Sequence, residues 1–196
     1  DSNKHFKCWR TTKKAGIWGM TSLNTSENSP PEILCCFPRR ITSFTLDHST
    51  NKLTKTTLIS SSDAVRIKRF GNVKVAPQGH KHAGMLIALD FASGLLLGYK
   101  SNGDFKGTID SGKHLRRATD LIFVDRTEYP FGGYVFNHST RKKDSTSADS
   151  RFSLLVFCPK GILEYDEDGK FLRCINTKDN ELQDCNFAYV SSSTLK

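Results

Sequence analysis

The sequence predicts a mainly β domain of antiparallel hairpins, with one or two short helices. Three observations predict it. The apolar runs, such as "GMLIAL" and "GLLLGY", are the length of strands. Tight-turn dipeptides punctuate them, notably Asn102-Gly103 and Asp168-Gly169, where glycine supplies the positive φ a hairpin needs. No segment keeps an apolar stripe at helical spacing over several turns.

Taken in chain order, strands are expected at 7–12, 15–20, 41–46, 52–59, 65–70, 72–76, 84–91, 94–100, 105–109, 120–125, 133–138, 152–158, 161–166, 171–175 and 187–191. Each is apolar or alternates apolar with polar residues. The pieces between them, "DHSTNK", "KSNGD", "YPFGG" and "DEDG", carry turn chemistry. Helical signals are few. "SPPEILCCF" (29–37) opens on Pro30 and Pro31, where a helix can begin, and is expected to form two turns. "SGKHLRRATD" (111–120) is expected to be a short basic helix, and "SSSDAVRIKRF" (60–70) begins with cap-type serines. "TSLNTSENSPP" and "NHSTRKKDSTSADS" read as loops, and neither is long enough to divide the chain. A chain of 196 residues therefore reads as a single domain over 1–196.

The hydrophobic fraction is 37% and no stretch approaches the roughly 20 apolar residues of a membrane-spanning helix. The 13 Phe point to a phenylalanine-rich core. Lys and Arg total 29 against 20 acidic residues, a formal charge of +9. A balance of that sign favours polyanionic partners, RNA or an acidic glycan, or an acidic host protein surface. The plain competing reading is a solvated basic face. The basic clusters are Arg39 and Arg40; Arg66, Lys68 and Arg69; Lys113, His114, Arg116 and Arg117; and Arg141, Lys142 and Lys143. Arg66, Lys68, Arg69, Lys113, Arg116 and Arg117 are the polyanion-binding candidates. If "VRIKRF" is a strand, alternation places Arg66 and Lys68 on one face. Phe70, Tyr99 and Phe105 are candidate stacking surfaces, against the ordinary reading that they belong to the core.

Six cysteines, Cys8, Cys35, Cys36, Cys158, Cys174 and Cys185, with no CxxC pair, suggest disulfides rather than zinc. The first residue is Asp1, not Met, and sequons stand at Asn24 and Asn137. A secreted protein, or a piece of a longer chain, is expected; a reduced cytoplasmic fragment is the alternative. No catalytic motif of useful specificity is present, and neither a cofactor nor a metal is expected. His80 and His82 in "GHKHAG" lack a neighbour in the sequence to complete a metal set. They read as a glycine-flanked surface loop. The closing stretch "GILEYDEDGKFLRCINTKDNELQDC" (161–185) reads as a structural hairpin, with Glu164, Asp166, Glu167 and Asp168 held in water by their mutual repulsion.

Aligning Gly103 with Gly169 sets "GYKSNGDFKGTI" over "EYDEDGKFLRCI". "FTLDHSTNKLTKTTL" has the same strand, polar turn, strand pattern, and "DLIFVDRTEYPFGGYVFN" is a less regular case. These hairpins resemble the outer strands of NHL-type β-propeller blades, and also β-trefoil hairpins. A barrel, a trefoil or a small propeller-like array are the architectures left open. Residues 120–185 also resemble the C-terminal part of secreted fungal ribonucleases of the T1 and ribotoxin type and their catalytically dead effector relatives. That resemblance implies an α+β ribonuclease-like alternative and a staple between Cys8 and Cys185. It also implies an acid histidine after the last strand, where this chain has "CINTKDN". Catalysis of that type needs an acid and a base within reach of the phosphate, so the resemblance implies a lost activity. The expected function is a non-enzymatic, secreted binding protein of effector or lectin-like character. A ribonuclease-like enzyme and an intracellular propeller fragment for protein contacts are the alternatives.

Overall fold

The structure, a computed structural model, describes residues 16–23, 32–47, 49–50, 52–60, 67–112, 115–127, 150–159 and 161–175. Twelve strands form three four-stranded sheets. The first contains β1 (Gly19–Ser22), β2 (Glu32–Phe37), β3 (Arg40–Asp47) and β4 (Lys52–Ser60). The second contains β5 (Phe70–Val75), β6 (Leu86–Asp90), β7 (Leu95–Tyr99) and β8 (Phe105–Asp110). The third contains β9 (Asp120–Asp125), β10 (Phe152–Cys158), β11 (Gly161–Tyr165) and β12 (Phe171–Ile175). Within each sheet the strands lie side by side in chain order, all antiparallel.

The mainly β expectation stands. Among the described residues there is no α-helix and no sheet closes into a barrel. The helix expected over 29–37 is corrected: its described part is β2, bonded to β1 on one edge and β3 on the other. Two ladders satisfy more backbone groups than a two-turn helix, which is marginal in water. They also bury Leu34 and Cys36 on one face at 0% exposure. The basic helix expected over 111–120 is corrected as well. Its described part is a single turn at 115–117, left-handed at Arg117 with φ 63°. "VRIKRF" is not a strand over 67–69; β5 begins only at Phe70. The strands expected at 7–12, 133–138 and 187–191 lie outside the described residues.

The second sheet is covered on both faces. Leu86, Ala88, Leu97 and Tyr99 pack with Leu34, Cys36, Ile41 and Phe70. Ile87, Leu89 and Leu96 pack with Leu121, Leu154, Val156, Leu163 and Tyr165 on the other side. That double burial is why "GMLIAL" and "GLLLGY" read as continuous apolar runs instead of alternating ones. The Tyr165 hydroxyl, the polar end of a fully buried ring, donates to Asp110 Oδ2 at 2.7 Å and ties the third sheet to the second.

The aligned hairpins occupy one place in the array. β3–β4, β7–β8 and β11–β12 are the third and fourth strands of successive sheets. Their turn glycines repeat one packing step. Gly103 has φ +93°, and a Cβ there would sit 2.3 Å from the Leu58 carbonyl oxygen of β4. Gly169 has φ +76°, and its Cβ would sit 2.5 Å from Ile109 Cγ2 of β8. Each turn thus abuts the fourth strand of the preceding sheet. "DLIFVD" instead becomes β9, whose bonded neighbour is β10, while residues 128–137 lie outside the described residues.

The first strands of the sheets adjoin. β5 packs against β1 on one side and β9 on the other. Asn72 and Asp120, both buried, use the same local device: the side-chain oxygen accepts the amide of the next residue, Val73 at 2.7 Å and Leu121 at 2.8 Å. Asn72 Nδ2 also donates to Asp120 Oδ1. Gly19 leaves the space Asn72 needs, since a Cβ there would overlap its Oδ1 at 2.0 Å.

Candidate polyanion-binding site

The strands alternate in direction, so the connections fall into two sets at opposite ends of the array. Where β1, β5 and β9 begin, the turns 38–39 and 91–94 and the segments 67–69, 111–112 and 115–119 meet. Six exposed cations stand there: Arg39, Arg40, Lys68, Arg69, Arg116 and Arg117. Four of them, Lys68, Arg69, Arg116 and Arg117, are polyanion candidates from the sequence. The other two candidates, Arg66 and Lys113, lie outside the described residues, as do His114, Arg141, Lys142, Lys143, Cys8 and Cys185.

Backbone chemistry builds this end. Asp90, fully buried at the close of β6, accepts the amide of Lys68 at 2.9 Å and of Arg69 at 3.1 Å. It also accepts the amides of Ala92 at 3.0 Å and Ser93 at 3.3 Å, and the Ser93 hydroxyl. One carboxylate therefore fixes the 67–69 segment against the 91–94 turn. The Arg69 carbonyl accepts Phe91 N–H at 2.9 Å and the Phe91 carbonyl accepts Arg117 N–H at 3.3 Å. Gly94, at φ +71°, lets Arg116 approach: a Cβ would stand 2.8 Å from the Arg116 nitrogen. Phe70 N–H donates to the Pro38 carbonyl at 3.0 Å, joining the Arg39–Arg40 turn to β5.

Two of the cations above this frame are set on aromatic rings. The Arg69 guanidinium carbon lies 4.0 Å from the centre of the Trp18 ring and 5.9 Å from that of Phe91. Trp18 meets Phe91 edge-on, with centroids 5.6 Å apart. Arg40 lies 4.8 Å over Phe37. Among the described residues, no carboxylate forms an ion pair with any of the six cations. The nearby acids are engaged otherwise: Asp90 by backbone amides, Asp110 by Gly112 N–H at 2.8 Å and Tyr165, and Asp120 by Asn72.

The expected stacking residues are corrected. Phe70 and Tyr99 are core, at 0% and 2% exposure. Phe105 is exposed but begins β8, at the other end, edge-on to Tyr99. Trp18 and Phe91 are the aromatic rings that stand at the cationic end. Trp18 stands in "GIWGM", which reads as strand interior, and Phe91 follows directly on β6. The usable signal for Phe91 was "DFASG", an acid opening a turn that closes on glycine.

The opposite end brings together two stretches that look unrelated in the sequence, "GHKHAG" and "DEDG". Glu167 accepts the amides of Lys81 at 2.8 Å and Phe152 at 2.9 Å, and Lys81 pairs with Asp168. His80 is packed by Phe123 and Phe152, with centroids 5.2 and 5.8 Å away, and its Nδ1 accepts His82 N–H at 2.9 Å. Burial lowers its pKa, against the pull of Glu167. A histidine does stand beside a carboxylate here, but both carboxylate oxygens and the imidazole Nδ1 are spent on backbone amides. Arg151 is paired with Asp125 at 2.7 Å. Among the described residues no group of three potential metal ligands forms. The hairpin's acids are only partly in water: Glu164 is buried, accepts the Ser153 hydroxyl at 2.8 Å and pairs with Arg173. Mutual repulsion is overridden because Glu164 points across the strand to a hydroxyl and a guanidinium. Cys35 and Cys36 are buried free thiols, Cys158 is buried with its Sγ 3.2 Å from the Gly161 carbonyl oxygen, and Cys174 is exposed.

No protein-family model and no curated protein matches the chain, and its functional reading rests on this geometry.

Proposed function

We propose that this protein is a non-enzymatic binding module that takes a polyanion across the end bearing Arg39, Arg40, Lys68, Arg69, Arg116 and Arg117. The observation that carries this reading is the absence of carboxylate partners for these exposed cations among the described residues. A cation already paired with a carboxylate must give up that partner to bind an anion, whereas none of these six has such a partner to give up among the described residues. The backbone frame around Asp90 also fixes where Lys68 and Arg69 leave the surface. The test is affinity for heparin and for an RNA across a salt series. Binding that weakens steeply with salt, and that falls when Arg69→Glu and Arg117→Glu are combined, supports the reading; affinity flat in salt overturns it.

A propeller-like architecture is favoured by a separate observation. Three meanders follow one another with their first strands adjoining, and the turn glycines of the second and third, Gly103 and Gly169, repeat one contact. In this reading each sheet is a blade and β1, β5 and β9 are the inner strands. An experimental structure with the sheets stacked in parallel layers, not fanned about an axis, overturns it. A secreted setting remains part of the proposal and is tested by the bridge between Cys8 and Cys185. Peptide mapping of non-reduced protein reads it directly, and free thiols at both positions remove it.

A further inference from the structure

We infer that the Trp18–Arg69–Phe91 cluster makes the basic end selective for single-stranded nucleic acid, with a base stacked on the outer face of the Arg69 guanidinium. The inference rests on the polyanion reading and deepens it. Arg69 is exposed, yet its guanidinium is laid on Trp18 at 4.0 Å. A guanidinium held this way has surrendered rotamer freedom before any ligand arrives. Its carbon stands over the indole ring, its side chain is exposed, and among the described residues no carboxylate pairs with it. Phe91 meets the indole edge-on at 5.6 Å, and its backbone is bonded to both Arg69 and Arg117. The stack is therefore fixed relative to the next cations along the surface.

Ligand chemistry selects among polyanions. A single strand presents both phosphates and unstacked π faces, and bases stack on aromatic rings and on arginine planes. A duplex hides its base faces, and an acidic glycan has none. Arg116 and Arg117 on one side, and Arg39 and Arg40 on the other, are placed to take the phosphates flanking a stacked base. An acidic protein surface would use the charges but has little use for a planar platform.

The experiment compares a labelled 15-nucleotide oligo(U), a duplex of equal length and heparin on the same protein at matched salt, by anisotropy. The single strand is expected to bind about tenfold more tightly than the duplex, the size of one stacking contact. Arg69→Lys keeps the charge and removes the plane. It is expected to weaken oligo(U) binding about tenfold while changing heparin binding less than twofold. Combining Arg116→Glu and Arg117→Glu is expected to weaken all three ligands. Equal affinity for single strand and duplex, with Arg69→Lys silent, overturns the stacking inference and leaves the polyanion reading standing. No binding to any of the three at low salt overturns both. A melting curve for each variant, unchanged from the parent, assigns the losses to the surface and not to unfolding.

Discussion

The two ends of the sheet array use their carboxylates differently. Where β1, β5 and β9 begin, the acids face inward and satisfy backbone: Asp90 alone holds the amides of Lys68, Arg69, Ala92 and Ser93. Arg40 and Arg69 lie over aromatic rings. At the other end several acids face outward and meet cations, although Lys52, Lys106 and Lys170 form no ion pair among the described residues there either. Lys81 pairs with Asp168, Lys100 with Asp104 and Arg151 with Asp125. The difference lies in what each carboxylate bonds. A buried carboxylate that accepts several amides builds a turn and neutralises nothing on the surface. An exposed one that meets a lysine quiets the surface and contributes little to stability. Net charge alone therefore says little about where an anion goes; the location of unpaired cations says more.

The largest expected effect breaks this comparison by reversing charge. The double variant Arg69→Glu and Arg117→Glu is expected to lower polyanion affinity by orders of magnitude at low salt. It should reduce the slope of log affinity against log salt by about 2, since two phosphate contacts are lost. The same reversal at Lys81 is the control. It should leave affinity within twofold, because that cation is already paired with Asp168.

The next effect concerns the frame both ends share. Gly103→Val forces a side chain into the left-handed region, costing about 1–2 kcal/mol, and drives Cβ against the Leu58 carbonyl. Gly169→Val meets a side chain, Ile109, which yields more readily than backbone. Thermal melts should rank them in that order, with Gly103→Val the more damaging; equal melting temperatures would break the repeat-contact account.

A pH effect sharpens the contrast from the other end. Burial holds the His80 pKa below its ordinary value of 6.5. The unfolded chain therefore takes up a proton that the folded chain refuses. His80 contributes stability that is present above pH 6.5 and lost as pH falls from there to its folded pKa. Chemical denaturation between pH 7 and pH 5 should show stability falling, and His80→Phe, which keeps the packing against Phe123 and Phe152, should flatten that fall. An unchanged slope in the variant rules His80 out as its source.

The smallest effect is kinetic. Cys36, fully buried with its thiol pushed well up by desolvation, should resist alkylation in native protein. Cys174, exposed on β12, should react ahead of Cys36. Mass spectrometry after timed alkylation measures the order, and a Cys36 that reacts as fast as Cys174 contradicts the buried assignment.

Much of the fold was legible residue by residue. "DLIFVD", "FSLLVFC" and "FLRCI" became β9, β10 and β12 at the expected bounds. The three hairpins fell at equivalent places in their sheets, and in two of them Gly103 and Gly169 answer the same steric demand. What failed was local propensity without its neighbours. "EILCCF" follows two prolines and looks like a helix start, yet two flanking strands made it β2. Phe70 and Tyr99 beside basic residues look like stacking platforms, yet the core claimed them. Glu164 looks like part of a solvated acidic turn, yet Ser153 and Arg173 draw it in.

By itself the sequence determined the β character, the hairpin turns and the basic balance. These follow from side-chain period, glycine conformation and charge, which are properties of neighbouring residues. Tertiary structure alone decided which cations stand together. Residues 18, 39, 69, 91 and 117 are distant along the chain, and antiparallel alternation returns their turns to one end. It also decided which of those cations have no carboxylate partner among the described residues. A carboxylate's choice between an amide and a guanidinium depends on what folding places within hydrogen-bond reach.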